Sequence, residues 1–365
     1  MAAAWEGAEL AQTQTLEEFQ HSRTIIEFSY LRIIALFALI MVHSDLIISY
    51  PAYTYPFQWF LLSVFFFMSG YLAYNSFKRR NNNIRPFMKA KAKSLYSLFV
   101  IACIFYFALQ VSLGAKADML KLISQISMVN IIDSVNSVYN WGSLWFIPYL
   151  LVFMFIAIAL EKYVKSIRLQ LSIVSAIWLR SILLWVYDSP LRLGLLFSEF
   201  IFVFMIGFWI NKLKLYQKVV SNKMAFFAVP LIALLSYDLS NLFNFSSATK
   251  AFEALVYTNI RIMGLSLSAV LMALLFLKKI KINKNSHVRR IARRSAFVYL
   301  SEPFISYLIL HLIFQVPAIY VSDGFLFIAY QITRVMVLLF LLPLFFIAVS
   351  DYLKKRASTQ APPSP

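Results

Sequence analysis

The sequence predicts an all-α protein: a polytopic membrane helical bundle of about ten transmembrane helices, with both termini cytoplasmic. Three observations carry this. Of the 365 residues, 61% are hydrophobic and only 14% charged, where a soluble domain has about 25% charged. The apolar residues gather into runs of about 17–25, the length that crosses a bilayer as a helix. Lys and Arg collect in alternate connections between those runs, which orients them.

Residues 1–24 are polar and mixed in charge, so they predict a cytoplasmic tail and no cleavable signal peptide. The transmembrane domain is expected over 25–353. Its spans read as 25–48, 57–77, 94–114, 144–160, 169–187, 193–211, 224–240, 260–280, 297–317 and 325–350. Residues 354–365 form a disordered cytoplasmic tail that ends in Pro and Ser.

Between spans two and three lie Lys78, Arg79, Arg80, Arg85, Lys89, Lys91 and Lys93. Further basic groups follow spans four, six and eight, whereas 49–56 and 318–324 contain no Lys or Arg. The basic loops are therefore cytoplasmic, and the number of spans is even. That role for the cations, together with attraction to anionic membrane lipids, accounts for most of the net charge of +18 without nucleic acid. Cys103, the single cysteine, excludes an internal disulfide framework and a thiolate metal site. The four histidines are too scattered to suggest a metal site, and there is no glycine-rich phosphate loop.

The first span stands out. It carries Arg32 and, eleven residues on, His43. Eleven residues is three helical turns plus about 20°, so both share one face, about 16 Å apart. An arginine inside a membrane is costly unless it faces a partner, water or the bundle interior. The pair predicts a lined site, against the blander reading of one packing arginine and one hydrogen-bonded histidine.

Several segments together resemble the membrane-bound acyltransferase family 3. They are Arg32 and His43 at that spacing, the phenylalanine-rich run that ends in Ser69-Gly70, and the basic approach to span three. Leu144-Trp145-Phe146-Ile147-Pro148 and the late Ser295-Ala296-Phe297-Val298-Tyr299-Leu300 complete the set. The order and topology match over nearly the whole chain. There are departures: Ser29 stands where relatives often have Asp, Lys89, Lys91 and Lys93 where many have an arginine pair, and Glu302 where His is common. Lysine keeps the charge and loses arginine's bidentate grip on phosphate.

The resemblance implies an O-acetyltransferase. It implies acetyl-CoA as acyl donor, reached from the cytoplasm, and a glycan or lipid-linked saccharide hydroxyl as acceptor, in a bacterial inner membrane. The catalytic set is then His43, Arg32 and Glu302, with His43 as general base or as carrier of an acyl-histidine. Arg32 binds the donor's anionic part or stabilises the oxyanion, and Lys89, Lys91 and Lys93 are expected to contact its phosphates. Glu302, at a depth like that of Arg32, is expected to pair with it, to line the same cavity, or to form a structural salt bridge. His311 falls about 180° away from Glu302 and off the site. Arg180, Glu199, Arg261 and Arg334 face the interior, where they serve structure first and the acceptor pocket second. Ser69-Gly70 is expected to allow close helix packing, and Trp145 and Pro148 to be an interface anchor and a kink. The rival class is a transporter or flippase of a glycan or lipid precursor, but the inverted symmetry common among those is not visible.

Overall fold

The structure is a computed structural model that describes residues 26–37, 40, 51–112, 116, 118–128, 144, 146–186, 199–221, 224, 231, 268, 270–275, 288, 291–292, 295–309, 324–345, 347–349 and 352. Every regular element among them is helical. In chain order they are α1 (26–37), α2 (Pro51–Lys78), α3 (Ile84–Lys91), the π-helical turn π1 (Ala92–Tyr96) and α4 (Ser97–Ser112). Then come α5 (Met119–Ile126), α6 (Phe146–Tyr163), α7 (Ile167–Val186), α8 (Glu199–Lys212) and α9 (Tyr216–Ser221). The later elements are α10 (270–275), α11 (Ser295–Leu308), α12 (Gly324–Met336) and π2 (Val337–Leu341).

The continuous helix Ile84–Ser112 and α6 are each long and apolar enough to cross a membrane, and the apolar stretches Ile167–Leu179 and Phe200–Lys212 are shorter. The span expected at 94–114 thus starts ten residues earlier, because α3, π1 and α4 run on as one helix. Most of the span expected at 224–240, and much of that at 260–280, lies outside the described residues.

The most extensive helix pair is α2 with α8, and two glycines permit it. A Cβ on Gly70 would lie 1.9 Å from the Phe204 carbonyl oxygen, and one on Gly207 would lie 2.1 Å from that of Phe67. The two backbones therefore touch where neither side bears a side chain, the small-residue contact by which helices associate in lipid. This is the close packing that Ser69-Gly70 led us to expect.

Aromatic rings fill the space around that contact. Phe66 stacks on Phe200 at 5.0 Å and meets Phe153 at 5.3 Å and Phe146 at 4.8 Å. Phe28 brings α1 against the same core, with its ring edge-on to Phe67, Tyr71 and Tyr216. Ring pairs in these geometries add about 0.5–1.5 kcal/mol beyond their buried area.

Polar side chains bridge the helices where apolar packing alone would leave donors unmet. Asn211 Nδ2 donates to the Tyr71 carbonyl at 2.5 Å. Trp209 Nε1 donates to Gln170 Oε1 at 2.7 Å, and Gln170 in turn caps Val164 O at 2.6 Å. The buried Glu27 of α1 accepts from the Tyr216 hydroxyl of α9.

The turn from α2 to α3 uses three asparagines. Asn81 and Asn82 take φ of 53° and 54°, a region this residue type tolerates. Asn81 N–H reaches Lys78 O and Asn82 N–H reaches Phe77 O, which satisfies the last carbonyls of α2. Asn83 then caps α3 by accepting from the Arg85 N–H at 3.2 Å. The result is a tight reversal that lays α3 back on the end of α2, with Phe87 buried against Phe77.

Candidate functional site

Five helices surround a cavity of about 230 Å³, and each gives it one stripe of side chains. Helix α1 contributes Arg32. Helix α2 contributes Phe65, Ser69 and Leu72 at i, i+4 and i+7, and α6 contributes Phe146, Ile147, Leu150 and Met154. Lys91 and Leu95, at i and i+4 across the junction of α3 and π1, form a fourth wall, and Ser295 and Tyr299 of α11 form the fifth. Residues three, four or seven apart share a helix face, so each stripe follows from local helical phase.

Arg32 Nη1 donates to the Ala292 carbonyl at 3.3 Å, which ties α1 to the residues just before α11. Lys91 extends over the Phe87 ring, with its Nζ 5.6 Å from the centroid. Its charge is felt with those of Arg32, Arg79 and Arg80. Among the described residues neither Arg32 nor Lys91 forms an ion pair with a carboxylate. Two cations at one partly buried cavity, with no carboxylate paired to them among the described residues, favour a positive potential there.

The three lysines expected to contact the donor's phosphates do not share one face of their helix. Lys91 is half-buried in the cavity wall, whereas Lys89 and Lys93 are exposed. Lys89 and Lys93 lie within about 40° of each other on a helix and Lys91 lies nearly opposite. π1 begins directly after Lys91, and such wide turns recur at functional sites because they reset the phase of the helix that follows.

Glu302 is buried, but its partner is Arg334 of α12 rather than Arg32, and it does not line the cavity. Ser306 Oγ donates to the same carboxylate at 3.0 Å, and the Arg334 guanidinium lies 5.9 Å from the centre of the Tyr330 ring. Arg334 Nε has no hydrogen-bond partner among the described residues. Of the three alternatives for Glu302, the geometry matches the structural salt bridge. Glu302 lies seven residues beyond Ser295, so it sits about 10 Å further along α11. His43, Trp145, Arg261 and His311 lie outside the described residues, as do the side chains of Arg180 and Glu199.

Sequence reasoning quoted Ser295 and Tyr299 only as parts of a motif, and the structure brings both to the cavity. Their i, i+4 spacing was the available signal. Neither hydroxyl, nor that of Ser69, makes a hydrogen bond among the described residues. Chemically, the cavity offers two cations, three free hydroxyls and an apolar wall, a combination suited to an anionic ligand with an apolar arm.

The described residues form an α-helical protein with two helices long and apolar enough to cross a membrane and a cavity that two cations line. A family model described as an acyltransferase domain matches residues 25–352. The chain belongs to acyltransferase family 3, a membrane-associated family of acyltransferases. Searches of curated proteins and of solved structures return no match.

Proposed function

We propose that the protein is an O-acetyltransferase that moves an acetyl group from cytoplasmic acetyl-CoA to a hydroxyl of a cell-surface glycan or lipid-linked saccharide. In this reading about ten helices cross the bacterial inner membrane and both termini are cytoplasmic. The observation that carries it is the cavity that Arg32 and Lys91 both line with no ion-paired carboxylate among the described residues. Unpaired cations in a low-dielectric wall are costly, and the phosphates of a coenzyme A thioester supply the missing charge. Lys89 and Lys93 hold the outer phosphates only transiently from their exposed positions. His43 takes the proton of the acceptor hydroxyl as general base. Glu302, locked to Arg334, holds α11 against α12 so that the α11 stripe faces the cavity.

The test is consumption of labelled acetyl-CoA by the purified, detergent-solubilised full chain with membrane glycolipids as acceptors, alongside His43→Ala. Transfer by the wild type and its loss in a folded His43→Ala protein are expected. No consumption by the wild type sinks the acetyltransferase reading, and equal transfer by both removes His43 from the chemistry.

A further inference from the structure

The cavity is polarised from end to end. Arg32 is anchored at Ala292, three residues before α11 begins, and Tyr299 lies one turn beyond Ser295 on α11. At that end the Tyr299 ring packs on Phe146 at 5.4 Å and Phe146 meets Phe65 at 6.1 Å, which makes an aromatic cup. The cations stand at one end of the cavity and this cup at the other, with Ser69 and Ser295 one helical turn short of it.

Tyr299 is only 5% exposed, lines the cavity, and has no hydrogen bond among the described residues. Its hydroxyl is not sealed in the core but opens on the cavity, where an acceptor carried by a ligand can reach it. Among the described residues the cup holds no cation, and the Glu302 carboxylate is close enough to act on Tyr299, so a neutral acceptor suits the phenol better than a second anion. The cavity is also smaller than the roughly 300–1,000 Å³ of sites that enclose a drug-sized ligand. It therefore takes only part of a long donor.

We infer that the Tyr299 hydroxyl donates a hydrogen bond to the thioester carbonyl oxygen of the bound acyl donor, an inference that rests on the donor-site reading above. With the phosphates at Arg32 and Lys91, the thioester reaches the aromatic cup. The acceptor oxygen attacks the carbonyl carbon and forms a C–O bond, while the carbonyl π pair moves onto oxygen. Tyr299 O–H stabilises that oxyanion. Its collapse breaks the C–S bond, and the acceptor's proton passes through the base to the departing thiolate, which leaves ester and free thiol. A donor aimed where charge develops acts on the transition state rather than on binding.

The experiment uses Tyr299→Phe in the full chain, which keeps the ring against Phe146. An unchanged Tm and an unchanged Kd for S-ethyl-CoA, a thioether without the carbonyl, show that fold and ground-state binding are intact. The expected result is a fall in kcat of about 10²-fold, with KM for acetyl-CoA changed less than about threefold. An unchanged kcat overturns the inference, as does a rise in KM with kcat intact or a loss of S-ethyl-CoA binding. If the wild type itself fails to consume acetyl-CoA, the donor-site reading falls and takes this with it. A working wild type beside an equally active variant removes Tyr299 alone.

Discussion

Lys91 differs from its neighbours by helical phase alone. Lys89, Lys91 and Lys93 are the same residue type within five positions, yet one lines the cavity and two face outward. An exposed cation is solvated and screened, whereas one in a cavity wall keeps most of its electrostatic reach. Lys91→Met is therefore expected to raise the Kd for acetyl-CoA about tenfold, equivalent to about 1.4 kcal/mol. Lys89→Met and Lys93→Met should each change it by less than about twofold, with exposed-charge energetics as the guide. Equilibrium binding at fixed salt separates the three, and equal effects would return the site to a diffuse basic surface. The contrast between Arg32 and Arg334 has the same origin. Both are arginines in the helical core, but among the described residues Arg334 is matched by Glu302 and Arg32 by a backbone carbonyl. The matched one is built into the fold, and the other is the one that the proposed donor site uses.

Among the helices, the α2–α8 contact sets the frame on which the cavity is hung. Helix α2 presents Phe65, Ser69 and Leu72 to the cavity, and Gly70, the residue after Ser69, to α8. Its two functions are thus separated by about one residue's rotation. Gly70→Ala places a methyl group where the Phe204 carbonyl already stands, so the helices must part. Overpacking costs about 1–3 kcal/mol where side chains can yield, and here the obstacle is backbone, so the loss should reach or exceed the top of that range. Gly207→Ala should act alike, and the double variant should cost less than the two together because one separation relieves both clashes. Thermal unfolding in detergent checks this. Additive losses would mean that the two glycines act independently. At the other wall, α3 and π1 place Lys91 and Leu95 side by side, and the asparagine turn after α2 brings that pair close to the core.

For the whole molecule, the proposed topology makes a direct prediction. Cys103 is the only cysteine and is buried, so single cysteines introduced elsewhere report cleanly on sidedness. In intact cells Lys89→Cys should resist an impermeant thiol reagent, and Lys116→Cys, across the span Ile84–Ser112, should react. The reverse pattern would invert the orientation and move the cationic end of the cavity to the outer face. The all-helical class, the family and Arg32 as a residue that lines a cavity were all legible in the chain. They rest on composition, motif order and the energetic cost of a charge in an apolar run, which are local properties. The partner of Glu302 was not legible, because α11 and α12 meet through packing and two depths along separate helices do not specify a pair.

The division runs along the range of the forces involved. Hydropathy, alternating basic loops and helical phase are written along the chain, and from them came the helices, the expected orientation and the stripe that carries Arg32. The tertiary structure alone decided which stripes converge. It chose Lys91 over Lys89 and Lys93, gave Glu302 to Arg334, and turned Ser295 and Tyr299 from motif letters into cavity walls. Those choices depend on how closely backbones approach at Gly70 and Gly207 and on where a π turn resets a helix. The contacts at Gly70 and Gly207 join residues more than a hundred positions apart, and no single segment encodes both sides of them.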